Sequence, residues 1–377
     1  MKKYILILFV ILSLQSCKEK SVNTVYDWND ISVGHDIRLQ SISMINKNVG
    51  FVGGIYNVTR SISDFYPIPG TAPEIYKDTL LYDTYENQYY YENNFKNDKK
   101  YEPHLFKTNN GGDTWQIITT PFKSGVHDIK FITEEIGYVA SENEGVYKTI
   151  DGGNSWYKIL GNIIYGNNKS FLDPFNTLCF IDKNNGFVYD NTWNSRIILK
   201  TTDGGNSWKF ISITNDSWLS DKYPKRFNNL DKIIFSMNSN IGYIVNGSEL
   251  YKTTDLGESW EKIYKDKNSD SNLDVFFISS KIGFLYKNHL KTTDGGLSWE
   301  EHLFSDYDDI MITVNQKDFY FTNKYEGKIL HLDIKNATSR NFMSIEGDRT
   351  ISDICFVTEN IGYAIGNNGL VLKYIKN

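Results

Sequence analysis

Four aspartates, Asp128, Asp274, Asp309 and Asp353, each stand at the start of an apolar stretch. Carboxylates that converge can hold a cation, or divide the acid and base roles of sugar hydrolysis between two groups at a set separation. Their recurrence at matching places favours a plainer reading, a side chain that fixes a turn, because catalytic groups are usually single departures from a pattern. Asp266-Lys-Asn268-Ser-Asp270 alternates like a calcium loop but lacks the following glycine and the closing glutamate, so it reads as a solvated loop. No metal and no cofactor is expected. A second set is aromatic and cationic: Tyr89, Tyr90, Tyr91, Trp193, Arg196, Trp218 and Arg226 lie in long polar connections. Their flat apolar faces, hydroxyls and guanidinium groups suit contact with a protein or a carbohydrate. Six histidines and no nucleophile-elbow motif give Ser-His-Asp chemistry little support.

A repeat positions these groups. Thr108-Asn-Asn-Gly-Gly-Asp-Thr-Trp115 recurs as Thr149-Ile-Asp-Gly-Gly-Asn-Ser-Trp156, Thr201-Thr-Asp-Gly-Gly-Asn-Ser-Trp208, Thr253-Thr-Asp-Leu-Gly-Glu-Ser-Trp260 and Thr292-Thr-Asp-Gly-Gly-Leu-Ser-Trp299, with tryptophans 41, 52, 52 and 39 residues apart. Such periods suit four-stranded blades rather than helical solenoids. Asp151, Asp203, Asp255 and Asp294, with Asn110 in the first copy, can accept backbone N–H groups across a tight turn whose glycines supply positive φ. Trp115, Trp156, Trp208, Trp260 and Trp299 then pack over the hairpin and against the adjoining blade. Upstream of the boxes, apolar segments with a Gly-aromatic pair, such as Phe131 to Val139 and Phe356 to Ala364, read as two strands joined by a short turn.

Each unit is therefore four strands, a to d. Ile310 to Phe342 reads as a degenerate unit without a box, and the last unit stops one strand short at Asn377. Tyr26-Asp27-Trp28-Asn29-Asp30-Ile31 has the look of the missing d-strand, so the two ends of the chain close a ring without exposed sheet edges. The fold expected is an all-β, seven-bladed propeller over residues 25–377, with a tyrosine-rich insertion at 56–104 in blade 1. The boxes are c–d turns; the long connections 56–104, 161–176 and 214–230 fall on the opposite face, where repeat proteins commonly bind. The four aspartates would point to the channel mouth on that face.

The pattern T-x-D-x-G-x-S/T-W resembles the Asp-box, or bacterial neuraminidase repeat, and the whole arrangement is most similar to photosystem II assembly factor-like propellers of exported bacterial proteins. The resemblance implies a non-enzymatic scaffold that binds other proteins. It does not carry the photosynthetic role, because six scattered arginines supply no counterpart to that family's arginine-rich patch. Sialidases share the repeat, but their arginine triad and opening Arg-Ile-Pro segment are missing; Arg38-Leu39-Gln40 departs from it. A glycoside hydrolase using paired carboxylates on the loop face is the enzyme alternative.

Met1-Lys2-Lys3 followed by the apolar run Tyr4 to Leu14 reads as an export signal, too short to span a bilayer. Leu14-Gln15-Ser16-Cys17 resembles the lipobox of bacterial lipoproteins, which implies that residues 1–16 are removed, that Cys17 is lipidated and that 17–24 form a tether. The net charge of −6 becomes −8 once two lysines leave with the signal, which argues against nucleic acid or an anionic surface as partner. The expectation is an exported monomer, anchored by its lipid in the outer membrane, periplasmic or at the cell surface, with an envelope protein or glycan as partner. Cys179 and Cys355 occupy the same place in non-adjacent repeats and read as small buried thiols without a disulfide between them.

Overall fold

Short β-branched and aromatic runs, punctuated by glycine, leave little choice but strands. The computed structural model describes residues 27–34, 37–56, 80–83, 88–91, 105–141, 144–161, 164–165, 170–171, 175–189, 198–211, 230–235, 240–267, 273–277, 279–285, 288–302, 313–315, 318–323, 328–333, 338–345, 349–358 and 360–375. Among them stand seven antiparallel four-stranded sheets, in keeping with seven blades, and no helix.

Blade 1 comprises Ile37–Met44, Gly50–Tyr56, Leu105–Thr108 and Gln116–Ile117; blade 2, Val126–Phe131, Gly137–Ser141, Gly145–Thr149 and Tyr157–Leu160. Blade 3 is Thr177–Phe180, Gly186–Tyr189, Ile198–Thr201 and Lys209–Ile211; blade 4, Leu230–Phe235, Gly242–Asn246, Glu249–Thr253 and Glu261–Lys265. Blade 5 is Val275–Phe277, Gly283–Leu285, Leu290–Thr292 and Glu300–Glu301. The box-less unit is blade 6, with Thr313–Asn315, Asp318–Asn323, Lys328–Asp333 and Thr338–Ser344. Blade 7 takes Ile351–Thr358, Ile361–Gly366 and Val371–Ile375 from the end of the chain and Asp27–Asp30 from its beginning. Two small hairpins lie in the connections: Leu80–Asp83 with Gln88–Tyr91, and Ile164–Tyr165 with Ser170–Phe171.

The core lies between blades. Gly137 must be glycine because a Cβ there would stand 2.5 Å from the Phe131 ring, which folds back across the a–b hairpin. That ring stacks on Phe51 of the blade before (centroids 4.0 Å) and takes the edge of Trp156 from its own box (6.0 Å). The same triplet recurs as Tyr138, Phe180 and Trp208, then Phe187, Phe235 and Trp260, then Tyr243, Phe277 and Trp299. Each box tryptophan thus covers its own hairpin and the seam behind it, burying the large apolar area that dominates such cores.

The ring closes through pairing of its ends. Trp28 lies opposite Tyr374 in the ladder and packs edge-on against Phe342 of blade 6. Beyond the strand, Ile31 donates its N–H to Val371 (2.9 Å), and its carbonyl accepts the Trp115 indole of blade 1 (3.1 Å). One short segment therefore touches three blades.

Candidate functional site

On the box face, the first threonine of every box is buried and organises the turn. In blade 3 the Thr201 hydroxyl donates to Asp203 (2.8 Å) and accepts the N–H of Gly205 (2.8 Å). Asp203 then accepts the Ser207 N–H (2.9 Å) and hydroxyl (2.5 Å). Gly205 sits at φ +95°, and a Cβ there would meet Ile159 at 2.5 Å. Asp151, Asp255 and Asp294 repeat this geometry, and Asn110 reproduces it with its amide oxygen on the Thr114 N–H (3.0 Å). The serine hydroxyl and N–H hold the Asp151 and Asp203 carboxyls down to about 2. At Asp255 burial pushes upward and Ser259 overcomes it; at Asp294 Ser298 acts alone in the lead. These groups are ionised and saturated by their own turn.

The boxes also join blade to blade, through a lysine that precedes each first threonine. Lys107 reaches the carbonyl of Gly152 in the next box (2.7 Å), Lys148 that of Gly204 (2.8 Å) and Lys252 that of Gly295 (2.8 Å). On the way each ammonium lies 5.4 to 5.9 Å from the aromatic ring of its own b-strand, Phe51, Tyr138 and Tyr243. Tyr363 of blade 7 donates its hydroxyl to Gly111 (3.0 Å), and Lys373 pairs with Asp113 there (3.2 Å). In blade 4 Leu256 replaces the first glycine at φ +58°, and Lys200 turns instead to the Glu258 carboxylate. Five seams, from 7/1 to 4/5, thus carry a latch. The recurrence of Lys-Thr before each box was the signal; its meaning lay in an acceptor one blade away.

The channel wall holds two of the four aspartates. In blades 2 and 7 a β-bulge just before the aspartate shifts the a-strand register, the device by which strands re-aim a side chain. Asp128 accepts the Leu178 N–H of blade 3 (2.8 Å) on one oxygen, and the Ser41 hydroxyl of blade 1 (3.0 Å) with the Ile129 N–H (2.8 Å) on the other. Asp353 accepts the Ile42 N–H of blade 1 (3.1 Å) and its neighbour's, Ile354 (2.8 Å). Both carboxylates therefore clamp a-strands of successive blades, a structural use of a different kind from the turn-fixing expected. Asp274 opens the a-strand of blade 5 half-buried, and Asp309 lies outside the described residues.

Burial raises both clamp carboxyls, Asp353 to about 7, where the charge of Asp128 adds to the effect and Lys130 counters it. Cys179 and Cys355 share the register of Lys130, are free thiols, and are half-buried rather than buried, packed against the clusters between blades. Burial pushes them to about 12 and about 11, so they are protonated and unreactive near neutrality. Among the described residues no cluster of His, Cys, Asp or Glu fit to hold a metal occurs.

A pH dependence follows. The folded Asp353 carboxyl holds its proton between about pH 4 and pH 7, where the unfolded chain has released it. Its contribution is full below pH 4 and is lost as pH rises through 7. Thermal unfolding between pH 5 and pH 8 is expected to reveal a loss of roughly 1–3 kcal/mol. Asp353→Asn, which cannot ionise, makes that slope shallower and leaves only the part that the raised Asp128 carboxyl supplies; an unchanged slope in the variant places the titration elsewhere.

Opposite the boxes, the strand ends fix where the long connections leave. Gly50 pairs with Thr108, so the other ends of these strands, Tyr56 and Leu105, open the 57–104 connection on the loop face. Of Tyr89, Tyr90 and Tyr91 the backbone alone is described, as a strand paired with Leu80–Asp83. Trp193, Arg196, Trp218 and Arg226 lie outside the described residues.

Residues 107–267 match the family model of photosynthesis system II assembly factor YCF48. The fold is similar to that of YCF48 bound to D1 peptide, at TM-score 0.60 and 15% identity over 93% of this chain and 97% of that one. It is likewise similar to YCF48 from Cyanidioschyzon merolae, at TM-score 0.59 and 14% identity over 92% and 98%. An ancestral GH74 enzyme aligns at TM-score 0.57 and 11% identity, over 92% of this chain and 46% of its own. No curated protein matches the chain.

Proposed function

Because the chain carries the repeat of the BNR, photosystem II assembly factor-like propellers, we propose that it is a non-catalytic scaffold of the cell envelope, holding a partner protein through the face opposite the Asp-boxes. One observation carries this reading. The box threonines, aspartates and the lysines before them are spent within the ring, on turns and latches, whereas the connections after Tyr56, Leu160 and Ile211 leave on the other side. YCF48 has been seen with a D1 peptide bound, and a peptide segment is the class of partner proposed here. Glycan binding is the reading this displaces, and glycoside hydrolysis is disfavoured by the employment of Asp128 and Asp353 as clamps.

The protein is further proposed to be exported, lipidated at Cys17 and held as a monomer in the outer membrane, at its periplasmic side or the cell surface. It binds neither nucleic acid nor a cofactor. Chemical cross-linking in intact cells, read by mass spectrometry, tests the scaffold. Partner cross-links are expected on the loop face, and deletion of residues 60–100 should cut their yield at least about tenfold, the scale of losing a cluster of aromatic anchors. The melting temperature should hardly change. Cross-links confined to the box face, or hydrolysis of any glycan by the wild type, would overturn the reading.

A further inference from the structure

The strand that closes the ring also fixes which way up an anchored molecule sits. In blade 7 Asp27 pairs with Ile375, and Ile375 with Ile361, the first residue after the a–b turn. In the box blades that same end carries the boxes: the Gly111 N–H bonds to Asn48 of the a–b turn (2.7 Å), and Gly204 to Asn184 (2.8 Å). Asp27 therefore enters its strand from the box face, at the outermost edge of the sheet.

Ten peptide steps separate Asp27 from Cys17. Fully extended they reach about 33–36 Å, and as a flexible chain their average span is about 16–19 Å. Turning the loop face toward the anchor would make this short tether climb the rim of blade 7. It would also press the connection between Tyr56 and Leu105, 48 residues long, between disc and membrane. From this geometry we infer that the Asp-box face is the side turned to the lipid surface, leaving the loop face to point away from the membrane, toward its partner.

The exposed large apolar residues fit that side. Among the described residues these are Ile117, Ile150, Tyr157, Phe210, Leu297 and Ile375. Ile150 (57% exposed) and Leu297 (72%) belong to box turns, and Ile375 ends a c-strand at the same face. Ile117, Tyr157 and Phe210 lie on outer strands within two residues of their boxes' tryptophans. Scattered apolar side chains bind a bilayer weakly; here the lipid supplies the affinity, and the face settles against the interface.

The inference rests on lipidation at Cys17, and the test separates the two. In membranes from cells expressing the full chain, with Cys179 and Cys355 replaced by serine, a donor dye is placed at Thr254→Cys (box turn of blade 4) or Lys267→Cys (just past the d-strand of that blade). Both sites are exposed, and the lipidated Cys17 does not react. Energy transfer to an acceptor in the lipid phase should be higher from position 254, reporting a depth difference of about 15 Å, the length of a five-residue strand. A flexible 20-residue insertion after Lys20 should abolish the difference. Equal or inverted transfer from a membrane-held protein overturns the orientation alone. Retention of Cys17→Ser in the membrane fraction overturns the anchor and the orientation with it.

Discussion

A chain lacking residues 21–33 melts at least about 10 °C below the full-length protein and binds a dye for exposed apolar surface. The deletion removes Trp28 from its place on Tyr374 and Phe342, Ile31 from beside Gly112, and the acceptor of the Trp115 indole. With Val33, which packs on the same cluster as Ile31, three apolar side chains are lost, and at about 1.5–3 kcal/mol each they amount to roughly 4.5–9 kcal/mol, a large part of the 5–15 kcal/mol by which domains are stable. It also bares the edge of Val371–Ile375, whose Leu372 and Tyr374 are buried in the intact ring, and an unpaired strand invites aggregation. Thermal denaturation of the two chains decides it; coincident curves would mean that closure contributes nothing.

Replacing Thr201 by valine lowers the melting temperature by about 3–5 °C, while the same change at Thr202 moves it by less than about 1 °C. The two residues are adjacent and differ in employment. Thr201 is buried and its hydroxyl serves both Asp203 and Gly205; Thr202 is exposed. Valine keeps the shape of threonine but leaves the buried Gly205 N–H without an acceptor, at about 2–3 kcal/mol. Equal effects at the two positions would show that the turn is held by its glycines and tryptophan alone. The contrast is read by calorimetry on the two single variants.

Local chemistry was legible in the sequence, and distant partners were not. A turn of Thr, Asp, Gly and Ser completes its own hydrogen bonds within five residues, so each box and its place in the chain could be read directly. Trp28 was legible for a similar reason: its neighbours look like the start of any other d-strand, and the last unit lacked one. The aspartates were harder. Asp353 and the Ile42 N–H it accepts are 311 residues apart, and no pattern near Asp353 announces that donor. The lysine latches escaped likewise, since Lys-Thr reads as ordinary strand chemistry until the next blade sets Gly152 or Gly204 against it. Of the loop-face candidates, the tryptophans and arginines belong to segments that departed from the repeat, where periodicity has nothing to say.

Every lysine latch runs in the same rotational sense, from the c-strand of one blade to the box of the one after it. Each unit with a lysine and a box is at once plug and socket. Cutting out such a unit from one tryptophan to the next would again set a lysine against a box, with a glycine carbonyl or, at blade 4, Glu258 as its acceptor. Seam chemistry is therefore indifferent to how many units make the circle, and that number is left to the wedge angle set by the stacked aromatic rings.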